Sequence, residues 1–250
     1  MGDPKDKLIV ALDVETFEEA RALIDTLGDM VSIYKVGSQL FTALGPVVIR
    51  HLIARGKKVF LDLKFHDIPN TVANAVTSAV ALNENLHEII ANPQEKGNNT
   101  GSLFMMTVHT VGGSEMLRRA SEAAAKKADS IKVAKPLIVG ITVLTSDIKT
   151  DNIADIVLQR ARLAKESGLD GVVASSQEAS LIRKELGEDF TIVTPGIRPA
   201  GADAGDQKRV TTPKDAVANG SDYLVVGRPI VKAKDPLKAA GQILEEISPV

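Results

Sequence analysis

Short apolar runs bounded by turn residues recur along the chain, separated by segments of helical period. The runs begin near Leu8, Ser32, Lys58, Phe104, Pro136, Asp170, Phe190 and Asp222. Between the first two, residues 18–27 place Ala20, Leu23, Ile24 and Leu27 on one helix face; residues 115–125, 153–165 and 237–247 repeat that spacing. Strict alternation of strand and helix predicts a parallel sheet covered by helices. Eight such units in 250 residues match an α/β fold, a single (β/α)8 TIM barrel spanning residues 1–250. A doubly wound open sheet is the rival, but it needs no eight strands, and neither G-x-G-x-x-G nor G-x-x-x-x-G-K-[ST] occurs. Residues 85–101, which contain Asn92-Pro93 and a Gly/Asn cluster, exceed the usual spacing and are expected to extend a helix end and form an inserted surface loop.

Alternation within the strands sorts side chains between barrel interior and helix layer. In the third run Val59, Leu61, Leu63 and Phe65 suit the helix side, which turns Phe60, Asp62 and Lys64 inward. The first run sends Leu8, Val10 and Leu12 out and Ile9, Ala11 and Asp13 in; in the second, Val31, Ile33 and Lys35 share the inward face. Asp13, Lys35, Asp62 and Lys64 are thus expected to converge at the C-terminal mouth, where this fold keeps its reactive groups. Burying charges merely to fix the mouth is a poor route to stability, so the array points to chemistry. Asp67 admits two readings: a site residue, or an N-cap for a helix begun by Pro69.

The second half offers an anion site. Residues 194–212 are rich in Gly and small side chains and read as an active-site lid carrying Arg198 and Gln207. After the eighth run, Val226-Gly227-Arg228-Pro229-Ile230 combines backbone that can approach an anion with a fixed fork of donors. Loops after strands seven and eight frequently bind phosphate in such barrels. The histidines say less. His51 and His87 are expected at the surface, His66 has the wrong parity for the barrel centre, and His109 ends the fourth strand, facing or backing the site. Ser175-Ser176 and Thr145-Ser146 lack an evident base, which argues against serine hydrolysis.

Composition narrows the partners. The 30 basic and 32 acidic residues give a net charge of −2, which argues against a nucleic acid polymer or an anionic membrane surface as the main partner. Absence of cysteine removes disulfides, thiolate metal sites and thiol nucleophiles, leaving only a carboxylate or histidine metal site open. No apolar stretch reaches the roughly 18 residues of a membrane helix, and the charged first residues do not form a secretory signal, so a cytoplasmic location is expected.

The stretch Asp62-Leu63-Lys64-Phe65-His66-Asp67-Ile68-Pro69-Asn70-Thr71 resembles the Asp-x-Lys-x-x-Asp-Ile-Pro-x-Thr signature of the orotidine 5′-phosphate decarboxylase family, bacterial type. Ala11-Leu12-Asp13, Tyr34-Lys35-Val36-Gly37, Val143-Leu144-Thr145-Ser146, Pro195-Gly196-Ile197-Arg198 and the segment around Arg228 follow in the family's order; the 85–101 insertion departs from it. The resemblance implies conversion of orotidine 5′-monophosphate to uridine 5′-monophosphate and carbon dioxide, the last step of de novo UMP synthesis, with no cofactor and no metal. It implies that Lys64 donates a proton to C6, that Asp13 and Lys35 bind the ribose, and that Asp62 sits beside the departing carboxylate. Asp67 and Thr71 would reach into the neighbouring subunit of a homodimer with shared sites. Thr145 would lie near the base, Gln207, Gly227 and Arg228 would hold the phosphate, and Arg198 would stand at the lid base.

Two alternatives remain. A magnesium-dependent 3-keto-6-phosphogulonate decarboxylase-like barrel shares the Asp-x-Lys-x-x-Asp pattern but ends its second strand in an acidic ligand, where this chain has Lys35. A non-catalytic nucleotide-binding barrel would keep Arg228 and Gln207 but has no need for Lys64 between two aspartates.

Overall fold

The computed structural model describes residues 3–84, 101–144, 152–199 and 209–248. Its strands are β1 Leu8–Ala11, β2 Ile33–Gly37, β3 Lys58–Phe65, β4 Ser102–His109, β5 Leu137–Ile141, β6 Gly171–Val173, β7 Thr191–Thr194 and β8 Tyr223–Val226. They pair in sequence order, all parallel, into a closed barrel, and β8 pairs with β1. The helices are α1 Phe17–Leu27, α2 Ser38–Leu44, α3 Pro46–Ala54, α4 Pro69–Val80, α5 Gly113–Ile131, α6 Ile153–Glu166, α7 Ser176–Leu186, α8 Pro213–Ala218, α9 Arg228–Val231 and α10 Pro236–Ile247. Among the described residues, no helix is long and apolar enough to cross a membrane. Most of the expected insertion, residues 85–100, lies outside the described residues.

The alternation of apolar positions produces two nested cores. Ile9, Ala11, Ile33, Phe60, Met105, Val139, Val193 and Val225 fill the barrel interior. Leu8, Val10, Leu12, Val59 and Leu61 pack outward under the helices, and Leu63 and Phe65 border the same layer. Val31 is a correction: it joins the outer core, because β2 begins only at Ile33 and strand parity does not extend back into the preceding turn. Helix α1 shows how local sequence sets an element. Thr16 and Glu19 form a reciprocal capping box, and the helix buries Ala20, Leu23, Ile24 and Leu27. His51 also departs from its expected surface position; on α3 it packs edge-on against Phe17, ring centroids 4.9 Å apart.

The N-terminal rim is held by buried cations. Lys57 donates to the carbonyls of Gly28 and Val31 at 2.6 and 3.1 Å. Arg183 donates to the carbonyls of Gly187, Glu188, Phe190 and Gly220 and to Asp222, whose carboxylate also accepts the Ile192 N–H. Each link satisfies strand-entry or turn groups that would otherwise lose their hydration. The opposite rim is left to carry chemistry.

Candidate active site

Strand β3 is irregular where its charges lie. From Leu61 to Phe65 it advances four residues while β4, paired with it, advances two, from Met106 to Val108. The slack is taken up at Lys64, whose φ of +52° is left-handed and unusual for a residue with a β-carbon. Such strain persists only where surrounding contacts fix it. Here the fixing contact comes from β4. Thr107, fully buried, accepts the Lys64 backbone N–H at 2.8 Å and donates its hydroxyl to Asp62 Oδ1 at 3.0 Å.

The charged side chains form one alternating string. Lys35 Nζ lies 3.1 Å from Asp13 Oδ1 and 3.8 Å from Asp62 Oδ2, and Lys64 Nζ lies 2.8 Å from that same Asp62 oxygen. The inner members are deeply buried, with Lys35 and Asp62 side chains 11% and 13% exposed, while Lys64 and Asp13 reach 37% and 53%. The sequence-based expectation that these four meet is therefore met. Their formal charges cancel, and each buried charge has an opposite partner, which makes the burial tolerable.

Lys35, Asp62 and Lys64 form the polar wall of a cavity of about 140 Å³ whose other side is Ile141, Val143, Val173, Pro195 and Val225. A mostly apolar lining with a few convergent charged groups is the usual form of a small-molecule site. Gly227 closes the neighbouring side: a β-carbon there would lie 3.4 Å from Asp13 Oδ2, so the end of β8 adjoins the Asp13 carboxylate. Arg228 begins α9 and is exposed, directly after Gly227. Arg198 is buried rather than solvated, its guanidinium donating to the Ile197 carbonyl and its backbone N–H to Thr211. Thr145, Gln207 and the central part of the expected lid, residues 200–208, lie outside the described residues.

Asp67 and Thr71 stand apart. Asp67 is exposed, accepts the Ile68 N–H at 2.6 Å, and forms no ion pair with Lys64 among the described residues of its own chain. Its cap reading is corrected: Ile68 occupies the N-cap of α4, and no side chain caps that helix end. Asp67 lies one position too early to reach the N–H groups of the first turn. Thr71 is exposed on the first turn of α4. His66 is exposed, and His109 ends β4 with its ring 5.7 Å from that of His66. Burial, then the charges of His66, Arg160 and Lys64, lower the His109 pKa below its ordinary value.

Two site residues escaped sequence reasoning. Thr107 had a signal, a hydroxyl on the inward parity of β4 two positions after the core residue Met105. Gly37 had none beyond its place in a motif, yet a β-carbon there would stand 2.9 Å from Lys35 Nζ.

Comparison with known proteins agrees with this geometry. The sequence profile described as "Orotidine 5′-phosphate decarboxylase / HUMPS family" matches residues 6–243. The orotidine 5′-phosphate decarboxylase of Hydrogenovibrio crunogenus is 44% identical over 249 residues, covering 96% of this chain and 95% of that protein. That of Vibrio cholerae is also 44% identical, over 99% of this chain and 98% of its own. The crystal structure of orotidine 5′-phosphate decarboxylase from Lactobacillus acidophilus superposes with a TM-score of 0.79 at 35% identity, covering 98% of this chain and all of that one. With a profile that spans nearly the whole chain and relatives this similar over their full length, the chain belongs to the orotidine 5′-phosphate decarboxylase / HUMPS family.

Proposed function

We propose that this protein decarboxylates orotidine 5′-monophosphate to uridine 5′-monophosphate and carbon dioxide, using its own side chains and no cofactor. The observation that carries the reading is the Asp13–Lys35–Asp62–Lys64 string facing an apolar cavity, with the Lys64 ammonium 2.8 Å from Asp62. Loss of carbon dioxide from C6 leaves the bonding electron pair on that carbon. The Lys64 ammonium, paired with Asp62, stabilises the developing charge and transfers a proton to C6; solvent then reprotonates the amine. Asp62 stands beside the departing carboxylate, while Asp13 and Lys35 hold the ribose hydroxyls. Gly227 and Arg228, with Gln207, grip the phosphate, and Thr145 and Arg198 complete the enclosure of the base and the lid. Binding energy from that remote phosphate is available to assemble the array and exclude water.

The site as we read it is completed by a second copy of the chain, with Asp67 and Thr71 of each subunit serving the other. Support comes from Asp67 being exposed and unpaired with its own Lys64, and from Ile68 and Val111, on the loops after β3 and β4, being 67% and 49% exposed. The product is a precursor nucleotide, and the cytoplasm is the compartment that fits a cysteine-free biosynthetic enzyme. Against the magnesium-dependent reading, the ammonium of Lys35 lies between Asp13 and Asp62, where a second acid would be needed to share a divalent cation.

The test is a spectroscopic decarboxylation assay with orotidine 5′-monophosphate in excess EDTA. Full turnover supports the reading; turnover only after magnesium is added overturns it. Lys64→Ala is expected to abolish turnover while retaining UMP binding. Mixed Lys64→Ala and Asp67→Ala chains are expected to regain part of the activity through hybrid sites, and no recovery after demonstrated subunit exchange refutes the shared site.

A further inference from the structure

Asp62 makes contacts with both of its oxygens. Oδ2 receives the ammonium groups of Lys64 and Lys35, and Oδ1 receives the Thr107 hydroxyl at 3.0 Å. The same hydroxyl oxygen accepts the N–H of Lys64, the residue with left-handed φ, at 2.8 Å. One fully buried side chain thus sets two things at once: the rotation of the carboxylate and the backbone of the lysine that pairs with it. The β3–β4 register shifts between Leu61 and Phe65, and the Thr107 hydroxyl bonds two residues within that stretch. The interior core beside it is built from Ile9, Ala11, Ile33, Phe60, Met105, Val139, Val193 and Val225, and Thr107 stands two positions beyond Met105 on the same strand. A threonine has one proton to give and lone pairs to accept with, and both uses are filled by site residues.

We propose that Thr107 is a positioning residue for the reaction, acting through Asp62 and Lys64 and not touching the substrate. It holds Asp62 Oδ2, and with it the Lys64 ammonium, in the orientation the proton transfer requires. The inference rests on the decarboxylase reading above. Valine has the shape of threonine without the hydroxyl, and would leave Asp62 Oδ1 and the Lys64 N–H unpaired; serine keeps the hydroxyl and loses only a methyl group.

The experiment compares kcat and KM for orotidine 5′-monophosphate, and UMP affinity by calorimetry, in the unaltered enzyme, Thr107→Val and Thr107→Ser. An inactive parent overturns the decarboxylase reading itself, before any variant is considered. With an active parent, Thr107→Val is expected to lose on the order of 100-fold in kcat, the scale of a misplacement near 1 Å. UMP affinity is expected to change less than about threefold, since phosphate and ribose contacts are untouched, and Thr107→Ser should recover to within roughly fivefold of the parent. A valine variant with kcat within twofold of the parent overturns the proposal. So does a serine variant as impaired as valine, which would make the methyl packing the function of this residue. If Thr107→Val does not fold, Thr107→Cys replaces it: cysteine matches serine in shape but is a weak donor, and equal kcat in the serine and cysteine variants overturns the proposal.

Discussion

Gly37 ends β2 so close to the Lys35 ammonium that a β-carbon on it would stand 2.9 Å from Nζ and 3.6 Å from Asp13 Oδ1. Its φ of −93° is open to any residue, so glycine is required by space and not by backbone conformation. Gly37→Ala therefore separates function from folding. The methyl group pushes Lys35 out of the charge string, and kcat/KM is expected to fall at least about tenfold. Stability should stay within about 1 kcal/mol, because reduced freedom of the unfolded chain offsets the poorer helix N-cap. Steady-state kinetics and urea midpoints on the same preparation check both halves.

The barrel was legible because its period-two runs and helical faces agree along the whole chain; every strand starts within two residues of its expected position. The four charges were legible by parity, since Asp13 continues the inward alternation after Ala11, Lys35 follows Ile33, and Asp62 and then Lys64 follow Phe60. The β3 bulge was not. It depends on Thr107, 43 and 45 residues from the groups it bonds, and no local pattern announces a hydrogen bond across two strands. Asp67 misled for a similar reason: Asp before Pro suggests a cap, but one residue of offset gives that position to Ile68.

Tyr34 belongs to a motif that carries site residues, yet it faces away from them. Its ring is fully buried on the helix side of β2, and its hydroxyl finds no hydrogen-bond partner among the described residues. Burial raises its pKa, with the charge of Asp25 adding to the effect. Removing an unsatisfied buried hydroxyl recovers its desolvation cost, so Tyr34→Phe is expected to stabilise the protein by about 1 kcal/mol. Turnover should be unchanged. A denaturant midpoint equal to or below that of the parent would contradict the assignment.

Arg183 presents the opposite case, a cation whose value is structural. Its side chain, 11% exposed, connects four carbonyl groups and Asp222 at the strand-entry rim. Arg183→Ala is expected to cost about 3 kcal/mol, leaving those acceptors without their common donor. Arg183→Lys should restore little of it, because a single ammonium cannot span the same fork of acceptors. Activity of the folded protein at low temperature is expected to match the parent, since the site lies at the other end of the barrel. Thermal melts together with kinetics measure the two effects separately.

His109 couples the site rim to pH. Its Nδ1 is buried without a hydrogen-bond partner among the described residues, and His66, Arg160 and Lys64 add positive charge around it. Burial first and these charges second depress its folded-state pKa below the ordinary 6.5. The unfolded chain therefore binds a proton at a pH where the folded protein does not, and stability falls as pH drops from 6.5 toward the folded value. Above pH 6.5 both states are neutral at this position and the contribution is complete. His109→Asn, which does not titrate, is expected to flatten this part of the profile, so that the gap in urea midpoint between variant and parent shifts in favour of the variant between pH 7.5 and about pH 5. Parallel profiles across that range would place the acid sensitivity elsewhere in the protein.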